Sequence, residues 1–309
     1  MDMEVQPRIP LLLDGGMGRE LFFRGVEIPE TIWSAGALIG DPEAVRRIHE
    51  DYIAAGADII TTNTYGIIRS DLAKEGVEDR FAQLNRLACA LAIEARERTS
   101  KPVLIAGSLP PLRGSFRPDR VGPTTEIGPL YREQAQLLAP HVDLLLCETM
   151  SSAAEGRMAA EAACETAKPV WISWTLHEDR PGRLRSGETI AQAARALNGL
   201  SVVGMLVNCC APERASDAMT ALAATGARFF GAYANTFAPI PPDWTLDGGG
   251  RQDGLLEFRA DLDPEAYAVH TARWLDAGAT VVGGCCGTRP AHIALIREQI
   301  DTRCPLPER

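Results

Sequence analysis

Eight short, almost unbroken apolar runs recur along this chain, and no other feature restricts its fold so strongly. They are IPLLLD (9–14), ADIITTNT (57–64), PVLIAGS (102–108), VDLLLCE (142–148), PVWISWT (169–175), VVGMLVNC (202–209), ARFFGAYA (227–234) and ATVVGGC (279–285). A strand with one wet face alternates apolar and polar residues, so continuous runs signal strands buried on both faces. Amphipathic segments fill the intervals. DPEAVRRIHEDYIAAGAD opens with Asp41 as N-cap and Pro42 in the first turn, and stops at Gly56. DPEAYAVHTARWLDAGAT repeats that grammar with Asp263, Pro264 and Gly278. Further helices fit 78–99, 126–138, 151–167, 188–197, 213–225 and 290–301. Eight strand–helix units predict an α/β chain whose residues 1–309 form one (β/α)8 TIM barrel. A doubly wound sheet is the rival, and it lacks its G-x-G-x-x-G fingerprint here.

Composition removes other classes. With 46% hydrophobic residues the chain can bury a large core. Its 31 basic and 41 acidic residues leave a formal charge of −10, and no basic cluster exceeds Arg-Arg, so a nucleic-acid partner is not expected. No run approaches the ~18 apolar residues of a membrane span. The start, MDMEVQPRIP, carries acids and no apolar signal core, so a cytoplasmic location with reduced thiols is expected. Eight cysteines are too sparse for a disulfide scaffold, which leaves metal binding or chemistry as reasons to cluster them.

In a barrel of this kind the reactive groups gather at the C-terminal ends of the strands. Those ends carry Asp14, Asn63, Ser108, Glu148, Thr175, Cys209, Asn235 and the pair Cys285–Cys286. The lysines, at 74, 101 and 168, fall outside the barrel interior, against Schiff-base chemistry; of five histidines only His177 reaches this face. The thiols differ. Cys209 ends the sixth run and Cys285–Cys286 the eighth, on either side of the seventh, so three sulfurs can converge at the mouth. Three thiolates and an open fourth position are the layout of a catalytic zinc site, and the flanking glycines let two consecutive side chains turn toward one ion. The competing readings are ordinary packing and a strained 285–286 disulfide. Cys89, Cys147 and Cys164 are read as packing; Cys210, beside Cys209, is expected on the other side of the strand as packing or a spare thiol.

Two acids complete the picture. LLLDGGMG runs a buried strand into Asp14, with Gly15 and Gly16 offering close approach to backbone amides; a plain turn is the alternative. Glu148 ends DLLLCE at the same mouth. Acids beside a thiolate–metal centre suit a ligand with an ammonium and a thiol. Long loops at 109–125 and 236–262, after the third and seventh strands, are positioned as lids or substrate contacts, with surface decoration as the alternative. Trp33, Tyr65, Phe116, Trp174 and Trp244 lie where an onium cation would meet aromatic faces, though packing would also account for each.

DGGMGREL, YIAAGADIITTNTY, CETM, VNCCAP and GGCCGT, in this order through almost the whole chain, resemble the homocysteine S-methyltransferase family. SFRPD and RSGETI look like further family segments, although Ser186 and Glu188 would equally serve to start a helix. The resemblance implies one Zn2+ on Cys209, Cys285 and Cys286, with Asp14, Gly15 and Glu148 binding the amino-acid part of homocysteine and Asn208 near the metal. It implies methyl transfer to the homocysteine thiol, giving methionine, from S-methylmethionine, S-adenosylmethionine or betaine; a cobalamin partner is not expected, because its additional domains are missing. Another thiol or selenol acceptor, demethylation of an unusual donor, and a non-catalytic zinc- or thiol-binding barrel are the alternatives. A redox-active cysteine barrel is more distant.

Overall fold

The computed structural model describes residues 9–27, 29, 31–241, 244 and 256–305. Eight strands form a single parallel sheet: β1 (Leu11–Leu12), β2 (Ile59–Thr61), β3 (Leu104–Leu109), β4 (Leu144–Met150), β5 (Val170–Trp174), β6 (Val202–Asn208), β7 (Phe229–Ala234) and β8 (Val281–Gly284). Their order is β1-β8-β7-β6-β5-β4-β3-β2. The ring closes between β1 and β2, where Leu13 bridges Ile59. There the Asp58 and Asp14 amides donate to the Leu12 and Ile59 carbonyls at 2.8 and 3.0 Å. The predicted (β/α)8 barrel is the observed fold.

Period two along each strand divides the apolar residues into two cores. Leu11, Leu13, Ile59, Leu144, Leu146, Trp171, Leu206, Phe229 and Val281 fill the barrel. Their neighbours Leu12, Ile60, Leu145, Cys147, Val207 and Val282 pack outward against helices. Each run is apolar throughout because both of its faces are buried.

The predicted caps hold. Asp41 accepts from the Ala44 amide at 3.0 Å to start Pro42–Ala54, and Asp263 accepts from the Ala266 amide at 2.8 Å to start Pro264–Asp276. Helices Phe81–Glu97, Thr124–Leu138, Ala153–Cys164, Ile190–Ala196, Pro212–Ala223 and Pro290–Arg303 match the remaining expectations within a few residues. Ser186 is not the cap of Ile190–Ala196; Thr189 is, in a capping box with Gln192, while Glu188 accepts from the Ala153 amide. The helices Met17–Phe23, Ala37–Gly40 and Arg69–Lys74 went unpredicted, since one or two turns show no 3.6-residue period. Among the described residues no helix is long and apolar enough to cross a membrane.

Candidate metal centre

The three sulfurs reach the barrel mouth by two different local routes. In β8, Val281 faces the lumen, and period two carries the chain on to Cys285 on the same side. A four-residue turn follows, closed by the Thr288 amide donating to the Cys285 carbonyl at 3.1 Å. Gly287 adopts φ +83° at its third position, as type II turns require. A Cβ at Gly287 would stand 2.1 Å from Thr236 Oγ1, so no other residue fits. In β6, Leu206 faces the lumen and Asn208 reaches the Cys285 sulfur, so strict alternation would send Cys209 outward and Cys210 inward. Cys209 instead takes φ +52°, which turns its sulfur into the mouth and leaves Cys210 fully buried against the helices. A left-handed non-glycine residue costs ~1–2 kcal/mol, and such strain gathers at functional sites.

Strand β7 sets the distance between the two routes. Its Tyr233 and Ala234 carbonyls accept from the Cys209 and Cys285 amides at 3.3 and 2.9 Å, and Thr236, just beyond it, donates to the Cys286 carbonyl at 3.0 Å. The Cys285 sulfur lies 3.1 Å from that of Cys209, which lies 3.8 Å from that of Cys286. All three are within 4.8 Å of one another. A tetrahedral zinc with bonds of about 2.3 Å needs sulfurs ~3.8 Å apart, so the set fits such an ion after a small opening of the tighter pair. The Cys209 thiol donates to Cys286 and the Cys285 thiol to Cys209; the neighbouring thiols pull Cys286 well below the usual range, and sharing the site with Cys285 and Cys286 pushes Cys209 well above it. Cys285 and Cys286 are both free thiols, so the alternative 285–286 disulfide is not formed.

Asn208 is buried beneath this cluster and does not line the cavity. Its Oδ1 accepts from the Thr149 amide at 2.8 Å and the Ser173 hydroxyl at 2.7 Å; its Nδ2 donates to Thr149 Oγ1 at 2.9 Å and lies 4.0 Å from the Cys285 sulfur. It is an anchor for the sulfur and for the β4 end, where Thr149 itself has φ +61°.

Both predicted acids open onto the cavity. Leu144, Leu146 and Glu148 share one face of β4, so the alternation that packs the lumen also aims the carboxylate into it. Ser108 donates to Glu148 Oε1, and Tyr233 donates to Oε2 at 3.2 Å. Burial nevertheless pushes the Glu148 carboxyl up to about 7. Asp14 accepts from the Thr61 amide at 2.8 Å and the Thr61 hydroxyl at 3.0 Å. Burial outweighs these bonds and pushes it to about 8. Gly15 also lines the cavity, and at Gly16 a Cβ would come 2.7 Å from the Cys285 carbonyl, so the glycine pair is where β1 passes close to the cysteine turn.

The space at the barrel mouth measures about 980 Å³ with the adjoining open solvent included. Four of the five aromatic residues singled out, Trp33, Tyr65, Phe116 and Trp244, line it. Trp174 does not: it is fully buried in the helix-side core, against Gly156. His177 lies off the cavity and accepts from the Asp179 amide through Nδ1. Both long loops contribute, 109–125 through Ser115 and Phe116 and 236–262 through Phe237, Trp244 and Leu256; residues 242–243 and 245–255 lie outside the described residues. Tyr233, Thr61 and Ser173 were missed. Counting by twos from Phe229 to Tyr233 would have found the first.

The homocysteine S-methyltransferase family model matches residues 11–300. Homocysteine S-methyltransferase of Escherichia coli (strain K12) is 30% identical over 93% of this chain and 94% of its own length. Selenocysteine methyltransferase of Astragalus bisulcatus is 26% identical over 91% of this chain and 90% of its own. The crystal structure of the homocysteine methyltransferase of Escherichia coli in its metallated form aligns with a TM-score of 0.79 at 28% identity, covering 96% of this chain and 98% of that one. The matched segment runs from the first strand into the last helix, and the chain belongs to the homocysteine S-methyltransferase family.

Proposed function

We propose that this barrel is a single homocysteine-binding domain that moves a methyl group from a sulfonium or quaternary ammonium donor to the thiolate of homocysteine, giving methionine. One observation carries the reading: three cysteine sulfurs, from strand ends 76 and 77 residues apart in sequence, lie together on the wall of a cavity that also holds two buried acids. Cys209, Cys285 and Cys286 would hold Zn2+, whose charge deprotonates a thiol of ordinary pKa about 8.5 at neutral pH. No general base is then needed.

Asp14 and Glu148 supply the negative charge for the substrate ammonium. Their raised pKa values mean that both give up a proton as the ammonium arrives, so affinity for homocysteine rises as pH climbs through about 7 to 8. Asn208 keeps the Cys285 sulfur in place. Trp33, Tyr65, Phe116 and Trp244 present aromatic faces to an onium donor and keep water from it. In-line attack needs both partners held together, which a walled cavity provides. The Astragalus relative, named for selenocysteine, supports a selenol as a second acceptor.

The test is to quantify zinc per chain and to assay methionine formation from homocysteine with S-methylmethionine, S-adenosylmethionine and betaine in turn. About one zinc and turnover with at least one donor is the expected result. Zinc-replete protein inert with all three, on homocysteine and selenocysteine alike, would leave the non-catalytic alternative.

A further inference from the structure

Among the described residues Arg19 is a buried charge without a carboxylate partner. Its side chain belongs to the helix Met17–Phe23 and the residue is only 2% exposed. No carboxylate pairs with it among the described residues, whereas the other buried arginine, Arg46, is held by Glu43 and Glu50. Its Nη2 donates to the Leu256 carbonyl and its buried Nε has no partner. Aromatic rings take up the rest: the guanidinium carbon lies 4.6 Å from the centre of Phe258, 5.1 Å from Phe237, 5.6 Å from Phe22 and 5.8 Å from Trp33. Burial disfavours its charge, and the rings offset that only in part, since its guanidinium is held below the usual range.

The turn beside it explains the cost. Phe258, the nearest ring to Arg19, packs on Gly287, where a Cβ would stand 2.7 Å from its Cε1. Gly16, just before the Arg19 helix, touches the backbone of Cys285 and Cys286. Arg19 is thus one ring away from the cysteine turn and within electrostatic reach of Cys286. It does not line the cavity; Phe237 and Leu256, which it grips, do. A cationic donor therefore meets carbon where the thiolates feel the charge. Three thiolates and a divalent ion sum to one net negative charge, and an acceptor thiolate makes it two.

We propose that Arg19 is the counter-charge of the thiolate cluster, a positioning residue whose buried cation strengthens the protein's hold on its metal ion. This rests on the metal-centre reading above. The signature is a difference between the two forms of the protein: loss of the Arg19 charge lowers the unfolding midpoint more with zinc bound than without it.

The experiment measures zinc affinity by chelator competition, and unfolding midpoints with and without zinc, for the full chain and for Arg19→Met, Arg19→Gln and Arg19→Lys. Gln retains a donor for the Leu256 carbonyl without the charge, and it carries the comparison if Met fails to fold. Met and Gln are expected to weaken zinc binding roughly tenfold and Lys by less than about threefold. Met and Gln should lower the zinc-loaded midpoint by more than the metal-free one. Wild-type affinity in Met and Gln would overturn the proposal. So would midpoints lowered equally with and without zinc and Lys as weak as Met, because that pattern marks a structural clasp on Leu256. Failure of the unaltered chain to bind zinc would instead defeat the metal-centre reading itself.

Discussion

The chain carries two adjacent cysteine pairs, and the barrel treats them oppositely. Cys285 and Cys286 both face the mouth, because β8 ends in a turn that Gly287 permits. Cys209 and Cys210 divide: the first faces the mouth through its own left-handed backbone, and the second is sealed among apolar side chains. Burial pushes the Cys210 thiol far above its usual range. The same residue type is thus a ligand candidate or packing according to one backbone angle. More generally, what the helices cover is arranged for stability, and what the mouth covers stores a cost.

Replacing a mouth cysteine should show the largest effect. Partners outside a ligand shell are worth roughly 10–100-fold in affinity or activity, so Cys285→Ser or Cys286→Ser should lose bound zinc and lower methionine formation by more than that. Metal analysis together with a methionine assay decides it; zinc retained at full stoichiometry in either variant would remove the distinction between the two pairs.

Next comes the turn that separates them. Gly287→Ala must place a Cβ against Thr236 Oγ1 at φ +83°. A loss of ~2–3 kcal/mol in urea unfolding is expected, along with weaker zinc binding, because Cys286 is displaced. A wild-type unfolding curve would show that the turn does not depend on this glycine.

Glu148 tests the stored cost. Its folded-state pKa, about 7, exceeds the unfolded value of 4.5, so the folded protein binds the proton more tightly. Stability on this account is greatest below pH 4.5 and falls as pH rises toward 7. In the metal-free protein Glu148→Gln should therefore match wild type near pH 4 and exceed it at pH 8, by up to about 3 kcal/mol at 1.36 kcal/mol per pKa unit. Parallel unfolding free energies across that range would contradict it.

The smallest effect belongs to Cys210. Cys210→Ala removes one buried sulfur and should cost about 1 kcal/mol while leaving zinc content and turnover unchanged. Loss of zinc here would mean that the outward thiol takes part in the centre.

Much of this is legible in the sequence. Caps at Asp41 and Asp263, the continuous runs and the cysteines at two strand ends are local signals, and local chemistry produces them. Asn208 was placed beside the cysteine cluster only through the family resemblance, and its partners Thr149 and Ser173 lie 59 and 35 residues away. Trp174 looked equivalent to the other aromatic residues because all five follow or end strands; its orientation toward the helices separates it from them.

The sequence by itself determined the barrel, the eight strand ends and the supply of thiols and acids to one face, since hydrophobic period and turn chemistry are written in neighbouring residues. Tertiary structure alone decided that Cys209 reaches the mouth through a left-handed backbone and not by strand alternation, that burial raises the Asp14 and Glu148 carboxyls, and that an arginine without a carboxylate partner lies behind the cysteine turn. Each of those depends on what closure of the barrel brings alongside, and burial, not residue type, fixes the energy of a charge.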